Sequence, residues 1–373
     1  MAHNKSSTYA DADEVRSLME RTHSPRVMGV GGSGGGLGLF RLDYDEALFQ
    51  RNYDEPVLAA RAGGVAARQA IARATGRYDT LGADLVAACV NALICVGAEP
   101  LFFLPGLLPG ELGPERVIEV VTSIAQGCSR AGCSLLGGGV MSGPGGEGGA
   151  SAGLSGFAVG VVERRRLLDG THTRAGDVVI GLASDGLHGQ GLGLAWRVLC
   201  GESVLPSRLA GILLPAPGEG DLSSSNNQAN GTHNAGGTPA PHETPAAQLL
   251  RPARLYAPSV LEVVGAYRVK RVVKAMAHID GGLGGPWTAG LPDGLAVRLR
   301  RGSWDIPPIF RLLAERGPLN DIDMFHTFNM GIGFVMIVAP NFAKPVMARL
   351  RRHGERCGVI GKIVKGEGGI EWA

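Results

Sequence analysis

The amino-acid sequence predicts an α/β (α+β) protein built from two domains. Segments with helical and strand-like patterns of hydrophobic residues alternate along most of its 373 residues, and such alternation is typical of sheets covered by helices. This length is enough for two domains, each with its own core. Hydrophobic residues make up 45% of the chain, which is typical of a packed globular protein.

The first domain is expected to alternate between long helices and short strands. Residues 80–96 are apolar on most sides and predict a buried helix. Pro114 is tolerated at the first position of a helix, and apolar residues then recur at helical spacing until Gly132. Strands are expected at residues 101–104, 133–136, 157–162 and 178–183.

A second unit follows a segment of low complexity. Residues 215–245 are mostly Gly, Ser, Asn, Pro, Ala and Thr and bury too little apolar surface to offset ordering, so we expect a disordered insertion. The boundary is expected near residues 163–176, which gives domains of residues 1–165 and 166–373. Beyond the insertion we expect helices at residues 255–267, 309–316 and 342–353, and strands at residues 269–279, 331–338 and 359–364.

The composition argues against several classes of protein. The chain carries 36 basic and 34 acidic residues and only 5% aromatic residues, so neither nucleic acid nor a membrane is an expected partner. Its six cysteines form no CxxC pair and no metal-ligand spacing, which favours unpaired thiols in a reducing compartment. The polar N-terminus lacks the apolar segment of a secretory signal, and the longest apolar run, residues 85–98, is too short to span a bilayer. We expect a cytoplasmic protein.

Glycine-rich segments are frequent, and residues 29–34 match the pattern GxGxxG. A dinucleotide site needs a strand before this pattern and a helix after it. Only Val27 and Met28 precede it as apolar residues, and more glycines follow it, so the dinucleotide interpretation is disfavoured. The Gly-Lys-Ser/Thr end of a P-loop does not occur in the sequence.

Longer motifs follow one another along the chain. They are YDTLGADLVAACVN at 78–91, VGAEPLFF at 96–103, GCSLLGG at 132–138, GFAVGVVE at 156–163, SDGLH at 184–188, AHI at 277–279 and MFHTFNMGIG at 324–333. In this order, over residues 9–365, they resemble the phosphoribosylformylglycinamidine cyclo-ligase (AIR synthase) family.

The resemblance implies a fold, a reaction and partners. The fold would have two α/β domains, with the N-terminal sheets of two subunits forming a barrel-like dimer core. The reaction would use ATP, with Mg²⁺, to close the imidazole ring of formylglycinamidine ribonucleotide, a nucleotide of purine biosynthesis. A homodimer is expected, or a heterodimer with an active relative.

The chain departs from this family at acidic positions. The family's DGVGTK segment is GGVAAR at 63–68, its ND is NA at 91–92, its GGE is GGG at 137–139, its next acid is Ser142, and its HSNG is HGQG at 188–191. Four acids expected around the metal and the phosphates are therefore absent. We expect impaired catalysis, and the metal ligands stay unassigned.

Other residues of the family's site are retained. The resemblance assigns nucleotide or substrate binding to Gly64, Arg68, Asp84, Asn91, Gly137, Gly138, His278, Thr327 and Asn329. The candidate catalytic residues are His188, Asp185 and Asp280, and either acid could replace a lost metal ligand. Structural roles remain alternatives, since Asp84 could support a helix start and Thr327 and Asn329 could hold a turn.

Three functions follow from these observations. The first is an AIR synthase with impaired catalysis. The second is a non-catalytic paralogue that serves as a structural or regulatory dimer partner. The third is another enzyme of the same superfamily, such as a relative of thiamine-monophosphate kinase or selenophosphate synthetase, which would also need acidic metal sites.

Overall fold

Two large β-sheets with helices against them, and one separate two-stranded pair, occur in the described residues, which confirms the predicted α/β (α+β) class. The computed structural model describes residues 12–28, 39–42, 53–110, 112–140, 153–200, 245–267 and 270–373. The GxGxxG segment at 29–34 and Ser142 lie outside the described residues, as does the predicted insertion up to residue 244. Pro245, the last residue of that prediction, begins a short helix.

The N-terminal sheet has the strand order β3-β7-β4-β5, with β6 beside β4. Strand β7 pairs antiparallel with β3 and β4, whereas β5 and β6 run parallel to β4. A separate pair, β1 and β2, lies before this sheet. The elements of this half are α1 (Ala12–Glu20), β1 (Val27–Met28), β2 (Leu39–Phe40), β3 (Pro56–Gly64), α2 (Ala66–Thr75), α3 (Leu81–Ile94), β4 (Glu99–Leu108), α4 (Pro114–Ala131), β5 (Ser134–Leu135), β6 (Gly139–Val140) and β7 (Gly153–Glu163).

Helices α3 and α4 cover one face of this sheet. Their close approach needs Gly82, because a Cβ there would lie 2.3 Å from the backbone N of Ile124. Helix α4 begins at Pro114 and ends before Gly132, whose φ of 70° is readily adopted by glycine, as the sequence predicts. The strand expected at 133–136 is shorter, because only two of its residues pair with β4.

The opposite face of the N-terminal sheet is apolar and partly open. Leu58 on β3 is 56% exposed and Phe157 on β7 is 41% exposed. Phe157 lies opposite Ala62 in the β3–β7 register, so Leu58, Ala62 and Phe157 share this face. Gly63 points the other way, towards Cys89 of α3.

The C-terminal sheet has six strands in the order β13-β10-β12-β8-β11-β9. Strand β11 is buried along its whole length, and β9 forms an edge of the sheet. The strand expected at 269–279 is confirmed for its second half only. The elements of this half are β8 (Val178–Ala183), α5 (Leu192–Cys200), α6 (Pro245–Leu250), α7 (Ala257–Ala266), β9 (Val273–His278), β10 (Leu295–Leu299), α8 (Pro308–Arg316), α9 (Asp321–Thr327), β11 (Ile332–Val338), α10 (Ala343–Arg352), β12 (Cys357–Lys365) and β13 (Ile370–Trp372).

Two simpler features concern the cysteines and the helices. All six cysteines are unpaired, and four of them are buried. Among the described residues, every helix is too short or too polar to cross a membrane.

Candidate functional site

The candidate site lies where the two halves of the chain meet. Helices α2 and α3 of the N-terminal half contribute Arg68, Asp84 and Asn91. The turn after β8 contributes His188, and the end of β9 contributes His278 and, two residues later, Asp280. Residues distant in sequence thus form one polar cluster at the junction, which we call the junction cluster (Arg68, Asp84, Asn91, His188, His278 and Asp280).

Arg68 and Asp84 form a buried ion pair in this cluster. The Nε atom of Arg68 lies 3.1 Å from Oδ2 of Asp84, and the two side chains are 0% and 2% exposed. The other oxygen of Asp84, Oδ1, accepts a hydrogen bond of 2.8 Å from the backbone N–H of Ala253. Both oxygens of Asp84 are therefore engaged.

Arg68 also binds the turn that carries His188. Its Nη2 donates to the carbonyl oxygens of Leu187 at 3.2 Å and His188 at 3.4 Å. On the other side of this turn, the N–H of Gly189 donates to Oδ1 of Asp280 at 2.9 Å. A Cβ at position 189 would lie 2.8 Å from that oxygen, so this contact requires glycine. Gly189, which stands where the family has serine, therefore leaves room for the carboxylate of Asp280.

His188 is held in one tautomer. Its Nδ1 lies 3.0 Å from the carbonyl oxygen of Ile279, and a carbonyl can only accept, so Nδ1 carries the hydrogen. The Nε2 atom is then an unprotonated acceptor, and it is buried without a hydrogen-bond partner among the described residues. Burial lowers the pKa of His188 well below its usual value, and His278 and Arg68 lower it further. His188 therefore offers a neutral lone pair at neutral pH.

His278 lies beside His188, with 5.2 Å between the ring centres. Burial lowers the pKa of His278 to about 4, although Asp280 acts to raise it, and Arg61 lowers it further. Arg61 shares the inner face of β3 with Gly63 and is exposed. Its side chain makes no hydrogen bond or ion pair within the described part of the chain.

Asn91 connects the two halves beside His278. Its Nδ2 donates to the carbonyl oxygen of Arg254 at 2.8 Å and lies 3.4 Å from Nε2 of His278. Its Oδ1 accepts from the backbone N–H of Tyr256 at 3.0 Å. The family-like asparagine thus has a structural task in addition to any contact with a ligand.

Thr327 and Asn329 support neighbouring turns. Asn329 donates from Nδ2 to the carbonyl oxygen of Gly186 at 3.0 Å and accepts from the N–H of Gly331 at 3.1 Å. Thr327 packs beside Gly191, where a Cβ would lie 3.2 Å from Cγ2 of Thr327. The hydrogen bonds favour the turn-holding alternative for Asn329, and the binding roles of both residues stay a prediction.

The three predicted glycines lie in or next to strands of the N-terminal sheet. Gly64 is the last residue of β3, and Gly137 and Gly138 precede β6. Gly138 has a φ of 128°, and a Cβ there would lie 2.5 Å from the carbonyl oxygen of Pro105. Within the described residues, no hydrogen bond joins these glycines to His188.

Asp185 is engaged elsewhere. Both of its carboxylate oxygens accept from Nη1 of Arg254 at 3.1 Å, and Arg356 lies 3.7 Å away. Arg254 is paired in turn with Glu355 at 2.9 Å. In the described part of the chain these ion pairs do not include His188, so the structure brings Asp280, but not Asp185, into contact with the turn of His188.

Two features were missed by reasoning from the sequence. Arg61 was not singled out, although period-two alternation places it on the same face of β3 as Gly63. The Arg68–Asp84 pair was not foreseen either, although both residues were named. Both residues were assigned to one site and they carry opposite charges, which is the signal that could have suggested the ion pair.

The described residues do not fit a magnesium ion. Mg²⁺ prefers several oxygen ligands in octahedral geometry. Among the described residues, no group of three or more His, Cys, Asp and Glu side chains could hold a metal ion. Asp84 and Asp280 both interact electrostatically with Arg68, so a cation already stands beside the two acids of the cluster.

Known proteins resemble the chain over nearly its whole length. The family described as AIR synthase related protein matches with its N-terminal domain at residues 45–162 and its C-terminal domain at residues 174–372. A phosphoribosylformylglycinamidine cyclo-ligase from Desulfitobacterium hafniense is 38% identical over 96% of this chain and 94% of its own length. One from Anaeromyxobacter dehalogenans is 39% identical over 95% of this chain and 91% of its own length.

Solved structures share the fold at low identity. Thiamine-monophosphate kinase from Stenotrophomonas maltophilia superposes with a TM-score of 0.58 at 16% identity, over 96% of this chain and 94% of its own. The hydrogenase maturation protein HypE from E. coli superposes with a TM-score of 0.59 at 18% identity, over 96% of this chain and 92% of its own. These superpositions describe the fold alone.

Proposed function

Because the chain belongs to the AIR synthase related protein family, we propose that it is a slow phosphoribosylformylglycinamidine cyclo-ligase. It would bind formylglycinamidine ribonucleotide at the junction cluster and close its imidazole ring with ATP. The observation that carries this proposal is that the turn of His188, whose Nε2 is unprotonated, is held by hydrogen bonds from the Arg68 guanidinium to its carbonyl oxygens. A basic nitrogen and a fixed cation are what proton transfer from nitrogen and binding of a phosphate require.

The residues of the cluster would divide the chemistry between them. His188 would accept, at Nε2, the proton that the attacking nitrogen of the substrate releases. Asp280 holds the backbone of the turn behind that histidine. ATP would supply the phosphoryl group that lets the amide oxygen leave as phosphate when the new C–N bond forms. Arg61 and Arg68 would bind the phosphate oxygens.

The low rate follows from the absence of a fitting metal site among the described residues. A metal ion that stabilises the transition-state charge contributes several kcal/mol, and about 1.4 kcal/mol corresponds to a tenfold change in rate. We therefore expect turnover roughly a hundredfold below that of the Desulfitobacterium relative. The alternative is a non-catalytic paralogue, and the engagement of both Asp84 oxygens favours it.

Two further parts of the proposal concern assembly and location. We propose a homodimer through the open apolar face around Leu58 and Phe157, since a contiguous apolar surface is typical of an interaction site. We also propose a cytoplasmic location, since its six thiols are unpaired.

The test is a turnover assay on the purified full-length chain. Formylglycinamidine ribonucleotide, ATP and Mg²⁺ are supplied, and both phosphate release and imidazole product are followed. The variant His188→Ala should abolish product, whereas Asp185→Asn, which removes an acid outside the cluster, should retain it. No product above background would favour the non-catalytic alternative, and a rate equal to that of the relative would contradict impairment.

A further inference from the structure

We propose that the guanidinium of Arg68 is the resident cation of the junction cluster, so that a divalent metal ion does not bind there and a phosphate-class anion binds without one. This inference depends on the proposed function only for the identity of the anion. The part that concerns metal exclusion stands on the geometry of Arg68, Asp84 and Asp280.

The first observation is the position of the guanidinium. It lies 3.1 Å from Asp84 and donates to two carbonyl oxygens of the His188 turn. Asp84 and Asp280 are the two acids that act electrostatically on it. A divalent ion bound by these acids would have to displace a side chain that is itself buried.

The second observation is the number of oxygen atoms that remain. Both oxygens of Asp84 are engaged, and Oδ1 of Asp280 accepts from Gly189. One carboxylate oxygen, Oδ2 of Asp280, is left in the described part of the cluster. Magnesium usually takes about six oxygen ligands, among them waters and phosphates as well as carboxylates, and the described acids of the cluster offer only this one unengaged oxygen.

The third observation is the balance of charge. Arg61 and Arg68 are two cations, and Asp84 and Asp280 are two anions, so these four side chains sum to zero. Both histidines are neutral, since burial lowers their pKa values. Removal of the Arg68 charge would leave a net negative cluster, which would attract a divalent cation.

The fourth observation points to an anion. Nη1 of Arg68 is buried and has no hydrogen-bond partner among the described residues. An unsatisfied buried donor is destabilising, which favours a ligand oxygen as its acceptor. A guanidinium offers donors in a planar fork that matches phosphate, and its positive charge does not depend on pH.

The decisive experiment measures metal binding, with Mn²⁺ as the probe for Mg²⁺ and electron paramagnetic resonance to count free ions. Wild type and Asp84→Asn should bind Mn²⁺ identically, because Asp84 is not a metal ligand. Arg68→Met should gain one site, at least about tenfold tighter than any in wild type, and Arg68→Met/Asp84→Asn should lose it. Should Arg68→Met fail to fold, Arg68→Gln takes its place.

Two results overturn the metal claim. One is a wild-type Mn²⁺ site that disappears in Asp84→Asn, which would make Asp84 a ligand. The other is a folded Arg68 variant that gains no site. If no Arg68 variant folds, the comparison of Mn²⁺ binding by wild type and by Asp84→Asn still tests the metal claim.

A second measurement tests the anion by calorimetry, with ATP and inorganic phosphate as probes. Affinity in EDTA should be within a few-fold of that in Mg²⁺, and Arg68→Gln should weaken it by about 10- to 100-fold. Binding that requires Mg²⁺, or no binding, refutes metal-free anion binding. A chain that binds the anion without metal yet forms no imidazole product would refute the proposed function and leave this inference standing.

Discussion

The Oδ2 atom of Asp84 lies 3.1 Å from Nε of Arg68, and neither side chain is more than 2% exposed. Disruption of a buried ion pair lowers the free energy of unfolding, because the removal of one partner leaves the other charge buried and uncompensated. The pair also joins the N-terminal half to the turn of His188. Its integrity should therefore affect both stability and the site.

Asp84→Asn should lower the free energy of unfolding by about 3 kcal/mol. Asparagine keeps an oxygen that can accept from Ala253, so the change removes mainly the charge. Urea denaturation measures it, with Asp79→Asn in the exposed Arg77–Asp79 pair as the control, where little change is expected. If Asp84→Asn and Arg68→Met were simply additive in the double variant, the two side chains would not be coupled.

Acidification should destabilise the protein through its buried histidines. In the unfolded chain a histidine binds a proton near pH 6.5, whereas His278 does so only at about 4 in the folded chain. Between these values the unfolded state binds more protons, so the free energy of unfolding falls as pH falls, by up to about 1.4 kcal/mol per pH unit for each such histidine.

His278→Gln should make this pH dependence shallower, and the exposed His326→Gln controls for the substitution itself. Urea midpoints across the window from 6.5 to 4 provide the measurement. Identical slopes for wild type and His278→Gln would show that His278 is protonated equally in both states.

Asn91→Ala should cost about 2 kcal/mol, because it leaves the backbone groups of Arg254 and Tyr256 without partners. The exposed Asn341→Ala is a matched control and should change little. Thermal unfolding reports the difference. An equal effect of both variants would contradict the role of Asn91 as a connection between the halves.

Phe157→Asp should convert the proposed dimer to a monomer, since it places a charge in the open apolar face. Ile322 is 66% exposed on α9, away from this face, so Ile322→Asp controls for the loss of a surface hydrophobic residue. Light scattering gives the mass of each. A wild-type monomer, or a Phe157→Asp dimer, would exclude this face as the interface.

Cys89 and Cys95 should react slowly with thiol reagents in the native protein. Burial raises the pKa of each to about 12, so almost no thiolate is present at neutral pH. Reaction with Ellman's reagent should become fast only after denaturation. Rapid native labelling at either residue, located by mass spectrometry, would contradict the raised pKa values.

The helices and strands were predicted well where the hydrophobic periodicity and the positions of glycine residues indicate the same boundaries. The helix expected at 80–96 occurs as Leu81–Ile94, and the strand expected at 178–183 occurs as Val178–Ala183. The strand expected at 269–279 is shorter, since apolar residues alone do not show where ladder pairing with β11 begins. Hydrophobic periodicity indicates which residues are buried, whereas the length of a strand depends on where it pairs with the neighbouring strand.

The site was only partly predictable, because its contacts join segments that are far apart in the chain. Comparison with the family named Arg68, Asp84 and His188, and it singled out Asp280 as an acid that the family lacks there. No local pattern shows that Arg68 faces Asp84 or that Gly189 leaves room for Asp280. Asp185 and Asp280 were equivalent in the sequence. Only the tertiary structure separates them, by giving Asp185 two arginine partners.

Helix α3 and Thr80, the residue before it, carry a row of polar side chains that bind the backbone of one C-terminal segment. Thr80 donates to Leu250 at 2.7 Å, Asp84 accepts from Ala253 at 2.8 Å, and Asn91 accepts from Tyr256 at 3.0 Å. This row of hydrogen bonds resists hinge opening, because movement of one half of the chain away from the other breaks several buried hydrogen bonds together. A ligand must therefore enter without breaking this row of hydrogen bonds. Amide hydrogens on α3 and on residues 250–256 should exchange with solvent as one slow unit.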